Sequence, residues 1–409
     1  MPFNIALTGL NAANQDLNVT ANNLANVSST GFKSSRAEFG DLFASTQRGV
    51  SRTSVGNGVS VSEVAQQFTQ GNIETTGNNL DIAISGNGFF TLSSGGALSY
   101  TRDGQFEMDQ NGNVINSQGA NLQVYPALAS GGFNTGGLQN LTLTTNESAP
   151  QATTSAKITA NLSASAKAPV DPTFSATDSN SYTNTTSLTT YDSLGAAHTA
   201  TLYFVKSAAA NNWTAHLFVD GNEVAPTTSP LNLVYDSSGN LTSPAAGLAP
   251  FTAYTPATGA APMSMTFDFS GTKQYGDSFN VSAVSQDGFT TGKLTGISID
   301  QQGVVQARFT NGRSTNLGQL AMANFANPQG LQQLGNQTWA QTNSSGQAVM
   351  GVAGNSGVGT VASGSLEESN VDTTGALVDM IKAQRDFQAN AQMIQTDNQI
   401  TQTIINIRQ

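Results

Sequence analysis

Two histidines, His198 and His216, and no cysteine are all that this 409-residue chain offers to nucleophilic or transition-metal chemistry. Both histidines fall inside strand-like alternating runs, where a structural role is expected. A zinc site needs Cys, His or carboxylate ligands at close, defined spacing, and no such spacing occurs. Asp109-Gln-Asn111-Gly-Asn113 opens like a calcium loop. The twelfth position of that loop, where a bidentate Glu is required, is Ala120, so a hairpin turn is expected instead. Gly86-Asn-Gly88 follows the strand-like LDIAIS, but no helix opens after it, and cradling a phosphate wants that helix N-terminus. Glycan hydrolysis by two carboxylates is marked by no pair of acids. The residues predict no enzyme, no cofactor and no metal.

Composition excludes further classes. The net charge is -11, so a phosphate-neutralising basic face is not expected and neither is nucleic-acid binding. Charged residues make up only 10% of the chain, and Gly, Ser, Thr, Asn and Gln take their place. No run approaches the ~20 apolar residues of a membrane span, and neither end is basic enough for an anionic membrane surface. MPFNIALTGLNAANQ lacks a charged n-region and a continuous apolar core, so a cleaved signal peptide is not expected.

With so little chemistry in view, the elements carry the argument. Helical periodicity occurs only at the two ends. Phe3, Leu7, Leu10, Asn14, Leu17, Ala21 and Leu24 alternate spacings of four and three, an a/d seam with one polar member. Leu377, Met380, Gln384, Phe387, Ala391, Ile394, Asn398, Thr401 and Ile405 repeat the spacing at the other end, and a second line, Ile400, Ile404 and Ile407, drifts away from it. Ser369 or Asp372 can cap this second helix. Helical rise predicts lengths of roughly 33 Å and 55 Å. Between the ends, VGNGVSVSEVA, LDIAISGNGFFTL, GNVINSQGANLQVYP, HTATLYFVK, MSMTFDFSG and GKLTGISIDQQGVVQARF read as short strands punctuated by turn residues. Weak patterning at about 146–180 and 241–262 flanks a further set of strands. The chain therefore reads as mainly β with α-helical termini.

The stretch ANNLANVSSTGFK closes the first helix, with Asn22, Asn23, Leu24, Asn26, Gly31, Phe32 and Lys33 as its marked positions. It resembles the N-terminal signature of the bacterial flagellar rod and hook family. SNVDTTGALVDMIKAQRDFQANAQ resembles that family's C-terminal partner segment, and LDIAISGNGFF resembles a third, at the start of its β-domain. Residues 146–284, with YDSLGAAHTATLYF, are similar to the insertion of hook members rather than the shorter rod members.

The resemblance implies terminal helices that pair into a coiled-coil-like inner domain (1–24 with 367–409), a connecting arm (25–70 with 359–366), a discontinuous β-rich middle domain (71–145 with 285–358) and an inserted β-rich outer domain (146–284). It implies a structural subunit that polymerises with itself into a bendable tube outside the cell. The implied partners are the distal rod, the hook cap, the hook–filament junction proteins and the type III export apparatus. Within EFGDLFAS, Phe39 and Phe43 are similar to an export-gate element of hook-class substrates. A distal rod protein is the alternative within the family, and a secreted β-rich adhesin is the alternative from another class.

Overall fold

The computed structural model describes residues 2–42, 56–128, 130–143, 147–355 and 357–407. Two helices enclose the sequence: α1, Pro2–Ala25, and α2, Thr373–Ile407. Asp372 starts α2, its Oδ1 accepting the Thr374 N–H at 3.0 Å. That is the N-cap role, filling one of the orphan donors of a first helical turn. Between them the described residues form strands, turns and two single-turn 3-10 helices, Ala245–Gly247 and Pro328–Gly330. No helix among the described residues is long and apolar enough to cross a membrane.

The chain divides into two compact units, Met1–Thr144 with Gly296–Arg308 and Ser314–Gln409, and Thr145–Thr295 with Phe309–Arg313. The first unit contains both helices and a β-body. At the centre of that body, strands Asn121–Pro126, Phe89–Ser94, Ala97–Thr101 and Thr338–Ala340 pair in this order. One face buries Ile82, Ile84, Phe90, Leu92, Leu122, Val305, Leu320 and Met322. A second cluster gathers Phe89, Tyr100, Phe325 and Trp339, with Phe68 packed against it. Its rings meet edge to face at centroid distances between 4.8 and 5.8 Å, the geometry the ring quadrupole favours.

After α1 comes a two-stranded hairpin, β1, Ser35–Asp41, and β2, Val59–Gln66, the second overlapping the expected strand VGNGVSVSEVA. Phe39 lies on β1 opposite Val61 and is exposed. Phe43 lies outside the described residues. The hairpin packs along α1. Its far end is fastened to the β-body, where Trp339 Nε1 donates to Gln66 Oε1 at 2.7 Å.

The second unit is a sandwich. A six-stranded sheet runs Asn184–Tyr191, Ala197–Lys206, Asn212–Val219, Asn232–Tyr235, Leu241–Ser243, with Asn222–Val224 beside Asn212–Val219. A four-stranded sheet holds Leu248–Pro250, Thr266–Asp268, Ser155–Asn161 and Asn280–Gln286. The alternation in Asn212–Val219 turns Trp213, Ala215, Leu217 and Val219 inward, against Phe204, Phe267 and Phe269. The strand Ser155–Asn161 falls in the stretch at about 146–180 whose Ala, Ser, Thr and Asn content hid its alternation. Asp109 folds as the expected turn: its Oδ1 accepts the N–H of Asn111 and of Asn113.

Candidate assembly surfaces and the junction that carries them

The two helices run antiparallel. Gly9 lies against Asn390, Asp16 faces Asp379, Lys382 and Asp386, and Asn23 shares a crevice with Val371 and Asp372. The α1 face turned to α2 is thus Ala6, Gly9, Ala13, Asp16, Thr20 and Asn23, spaced three and four apart. Most of these are small. A Cβ on Gly9 would stand 2.6 Å from Asn390 Oδ1, so glycine is what permits this approach. Burial raises the Asp16 carboxyl pKa, and Asp379 and Asp386 add to the rise while Lys382 opposes it.

The large apolar line falls elsewhere on α1. Phe3 and Leu7 are each 40% exposed. Leu10, Leu17 and Leu24 are half-buried, and Asn14 and Ala21 are exposed. On α2, Met380, Phe387, Ala391 and Ile394 are half-buried and Ala383 is fully buried, while Leu377 and Ile405 stand exposed. Val378, Ile381, Met393, Ile400 and Ile404 are also more than half exposed. Because α2 has 35 residues against 24 in α1, its C-terminal turns run past the start of α1, and residues 398–406 are exposed throughout. Completing the burial of each such side chain is worth about 1 kcal/mol. A monomer leaves this term unused.

Below the helices the chain passes through a buried charge cluster. Glu367 Oε1 is 2.6 Å from Lys33 Nζ, and its Oε2 is 3.1 Å from Arg102 Nη1, with the Lys33 and Glu367 side chains fully buried. Lys33 also donates to the Thr69 carbonyl at 2.8 Å, and Glu367 Oε1 accepts the Gly71 N–H at 2.9 Å. Arg102 Nη2 donates to the Gly86 carbonyl at 2.7 Å. Burial lowers the pKa of both Lys33 and Arg102, against the pull of Glu367.

Each marked position of ANNLANVSSTGFK has a place here. Asn23 acts as a strand partner to β1, its Nδ2 donating to the Ser35 carbonyl and its Oδ1 accepting the Ser35 N–H. Asn26 Nδ2 closes the helix on the Asn22 carbonyl, and Asn26 Oδ1 accepts from Ser29. Asn22 and Leu24 stay at the surface, exposed and half-exposed. Gly31 adopts φ +68, and a Cβ there would meet the Asp103 nitrogen at 2.6 Å. That combination admits glycine alone. Phe32 is buried and Lys33 enters the cluster. Sequence reasoning missed Arg102, Glu367 and Asn370. Asn370 ties the returning strand to Ser34, Gln67 and Thr69.

The first unit of this chain combines three parts. It has a β-body, a helix pair with apolar lines left uncovered and a rigid junction between them. Those are the parts of a self-associating axial subunit, and the comparisons agree. Residues 3–33 match the Flagella basal body rod protein family, residues 83–161 the Flagellar hook protein FlgE/F/G D1 domain, residues 161–289 the Flagellar basal body protein FlaE D2 domain, and residues 362–407 the Flagellar basal body rod FlgEFG protein C-terminal family. The flagellar hook protein FlgE of Escherichia coli strain K12 is 39% identical over 414 residues, covering all of both chains. FlgE of Salmonella typhimurium is also 39% identical over both full lengths, and that of Treponema pallidum is 32% identical over 98% of each. The crystal structure of Helicobacter pylori flagellar hook protein FlgE2 shares the fold at TM-score 0.52 and 13% identity, over 70% of this chain and 98% of that one.

The chain belongs to the flagellar hook protein FlgE family. It is a structural protein of the flagellum, not an enzyme.

Proposed function

We propose that copies of this chain polymerise into a tubular, bendable hook, a universal joint that passes motor torque from rod to filament. The carrying observation is that α1 and α2 meet through small residues while large apolar side chains stay exposed. A surface of that kind is buried by neighbouring copies. In this reading the lines through Phe3, Leu7 and Leu10 and through Leu377, Ile400 and Ile405 are assembly surfaces, and the β-rich residues 146–284 form an outer layer. Neutral Ser, Thr and Asn side chains there exchange water-bridged contacts at small net cost, so neighbours slide as the tube curves. The distal rod, hook cap and hook–filament junction proteins would contact its ends.

Electron microscopy after precipitant-induced assembly tests the reading. Intact protein is expected to form tubes, and protein lacking residues 1–24 and 372–409 is expected to form none. Cylinders of normal diameter from the truncated chain would overturn it.

Export is the second part of the proposal. The chain leaves the cell through the flagellar type III apparatus without a cleaved signal, and Phe39 with Phe43 contributes to recognition. Phe39 is 42% exposed on a two-stranded sheet, available to a receptor. Replacing both by Ala should lower the secreted fraction while purified protein still assembles. Unchanged secretion would remove the two residues from the proposal.

A further inference from the structure

The second unit carries a titratable cluster of its own, apart from the helix pair and its junction. His198, at the start of strand Ala197–Lys206, has a side chain only 6% exposed and lies between two carboxylates. Its Nδ1 is 2.5 Å from Asp220 Oδ2 and its Nε2 is 3.2 Å from Asp192 Oδ2. Asp192 comes from the turn between Asn184–Tyr191 and Ala197–Lys206, and Asp220 from the turn between Asn212–Val219 and Asn222–Val224. An ionised carboxylate only accepts, so both ring nitrogens must donate, and the ring facing both is an imidazolium. The same two aspartates and their neighbour fasten a third segment. Thr258 Oγ1 donates to Asp192 Oδ2 at 2.8 Å, the Ala261 N–H to Ser193 Oγ at 2.9 Å, and the Tyr254 hydroxyl to Asp220 Oδ2 at 3.4 Å. These bonds hold the tip of the loop whose stem is the Tyr254–Met263 bridge. The loop carries no charged residue of its own.

We propose that His198 is the latch of a pH-gated loop: charged, it bridges Asp192 and Asp220 and seats the loop tip on them, and neutral, it releases the tip. The groups that face it are Asp192 from one turn, Asp220 from the other and the neutral Tyr254 and Thr258 from the loop. When the ring loses its proton, one nitrogen presents a lone pair to a carboxylate. The shorter bond, to Asp220, is the one retained. Asp192, whose side chain is fully buried, then faces that lone pair, and the seat of Thr258 is lost.

Titration directions agree with the geometry. Burial disfavours the His198 charge, but the hydrogen bonds it donates to Asp220 and Asp192 outweigh it and raise the pKa above the ordinary 6.5. Burial opposes ionisation of Asp192 too, yet the bonds from Thr258, Ala196, His198 and Leu194 bring it to about 2. Asp220 is lowered as well, its bond from His198 outweighing burial. For a raised histidine, the stabilisation is fully present below 6.5 and is lost as pH rises through the folded value. For Asp192 it is present above the ordinary 3.8 and lost as pH falls through about 2, and for Asp220 it is likewise present above 3.8 and lost at lower pH. The latch is therefore closed in mildly acidic solution and opens as pH rises through the raised His198 value.

The inference concerns one unit of the chain and does not rest on polymerisation. The experiment uses full-length protein at dilute concentration, with isotope-labelled histidine read by NMR and amide exchange read across 252–263, the exchange corrected for its intrinsic pH dependence. His198 is expected to titrate above the ordinary histidine range, with His216 as the second signal. Protection of 255–262 is expected to fall about tenfold per pH unit beyond that midpoint. Asp220→Asn removes one carboxylate and should move the ring titration and the loop release together to lower pH. Loop protection that ignores the His198 midpoint, in either protein, would overturn the proposal, as would a His198 that titrates at or below 6.5.

Discussion

Glu367→Gln is expected to destabilise the unit that contains both chain ends by about 3–5 kcal/mol. Glu367 is the one carboxylate between two buried cations, at 2.6 Å from Lys33 and 3.1 Å from Arg102. Glutamine keeps the shape but not the charge, and it leaves both cations uncompensated where burial already disfavours them. Lys33→Met is the informative contrast. It leaves one cation against one carboxylate, so its cost should be the smaller, about 1–2 kcal/mol for the lost hydrogen bonds. Each unit holds one of the chain's two tryptophans, Trp339 in the first and Trp213 in the second. Urea unfolding followed by Trp339 fluorescence in a Trp213→Phe background therefore reads the right unit. The midpoint should fall by about 1–3 M for Glu367→Gln. A Glu367→Gln protein within 1 kcal/mol of its parent, or one more stable than Lys33→Met, would refute the account of the cluster.

The second large effect concerns assembly without stability. Leu7→Asp and Ile404→Lys together should raise the critical concentration for polymerisation at least about 100-fold, equivalent to about 2.7 kcal/mol per subunit added. Leu7 is 40% and Ile404 60% exposed, so the monomer has little packing there to lose. The signs are chosen to suit each helix: an acid near an N-terminus and a base near a C-terminus are favoured by the helix dipole. In a polymer that buries these positions, each charge lacks a partner and costs several kcal/mol. Val170→Asp, at a site 87% exposed in the other unit, is the control and should assemble normally. Sedimentation across a dilution series gives the critical concentration, and thermal melting should stay within the error of the parent. Polymerisation at the parent concentration would place the contacts between copies elsewhere.

How much of this was legible depended on distance along the chain. The terminal helices were visible because their apolar residues recur every three to four positions, a local signal. The end of the first helix held within a residue, and of the two cap candidates for the second, Ser369 and Asp372, it is Asp372 that caps. The same signal did not say which face each helix turns to the other. Periodicity picks out large apolar residues, whereas the helix contact uses Ala6, Gly9 and Ala13, chosen for closeness rather than hydrophobicity. ANNLANVSSTGFK was conspicuous, and a glycine there already suggests the positive φ that Gly31 adopts, but the packing of Asp103 on Gly31 and of Glu367 on Lys33 was not legible, since both partners lie far away in sequence. No local pattern links Lys33 to a residue 334 positions on. The strand Ser155–Asn161 was hidden for another reason. Its inward residues are Ala156, Ile158 and Ala160, and two alanines in a Ser/Thr background scarcely register as alternation.

The charge cluster also has a mechanical meaning. Four separate passages of backbone, through Lys33, Thr69–Gly71, Arg102 and Glu367, converge on it. A single linker could swivel, but four passages locked by a carboxylate between two cations cannot turn without pulling charges apart inside a dry interior. Under torsional load the helices and the β-body of the first unit must therefore move as one stiff lever, and whatever yields when the assembly flexes has to be found beyond this joint.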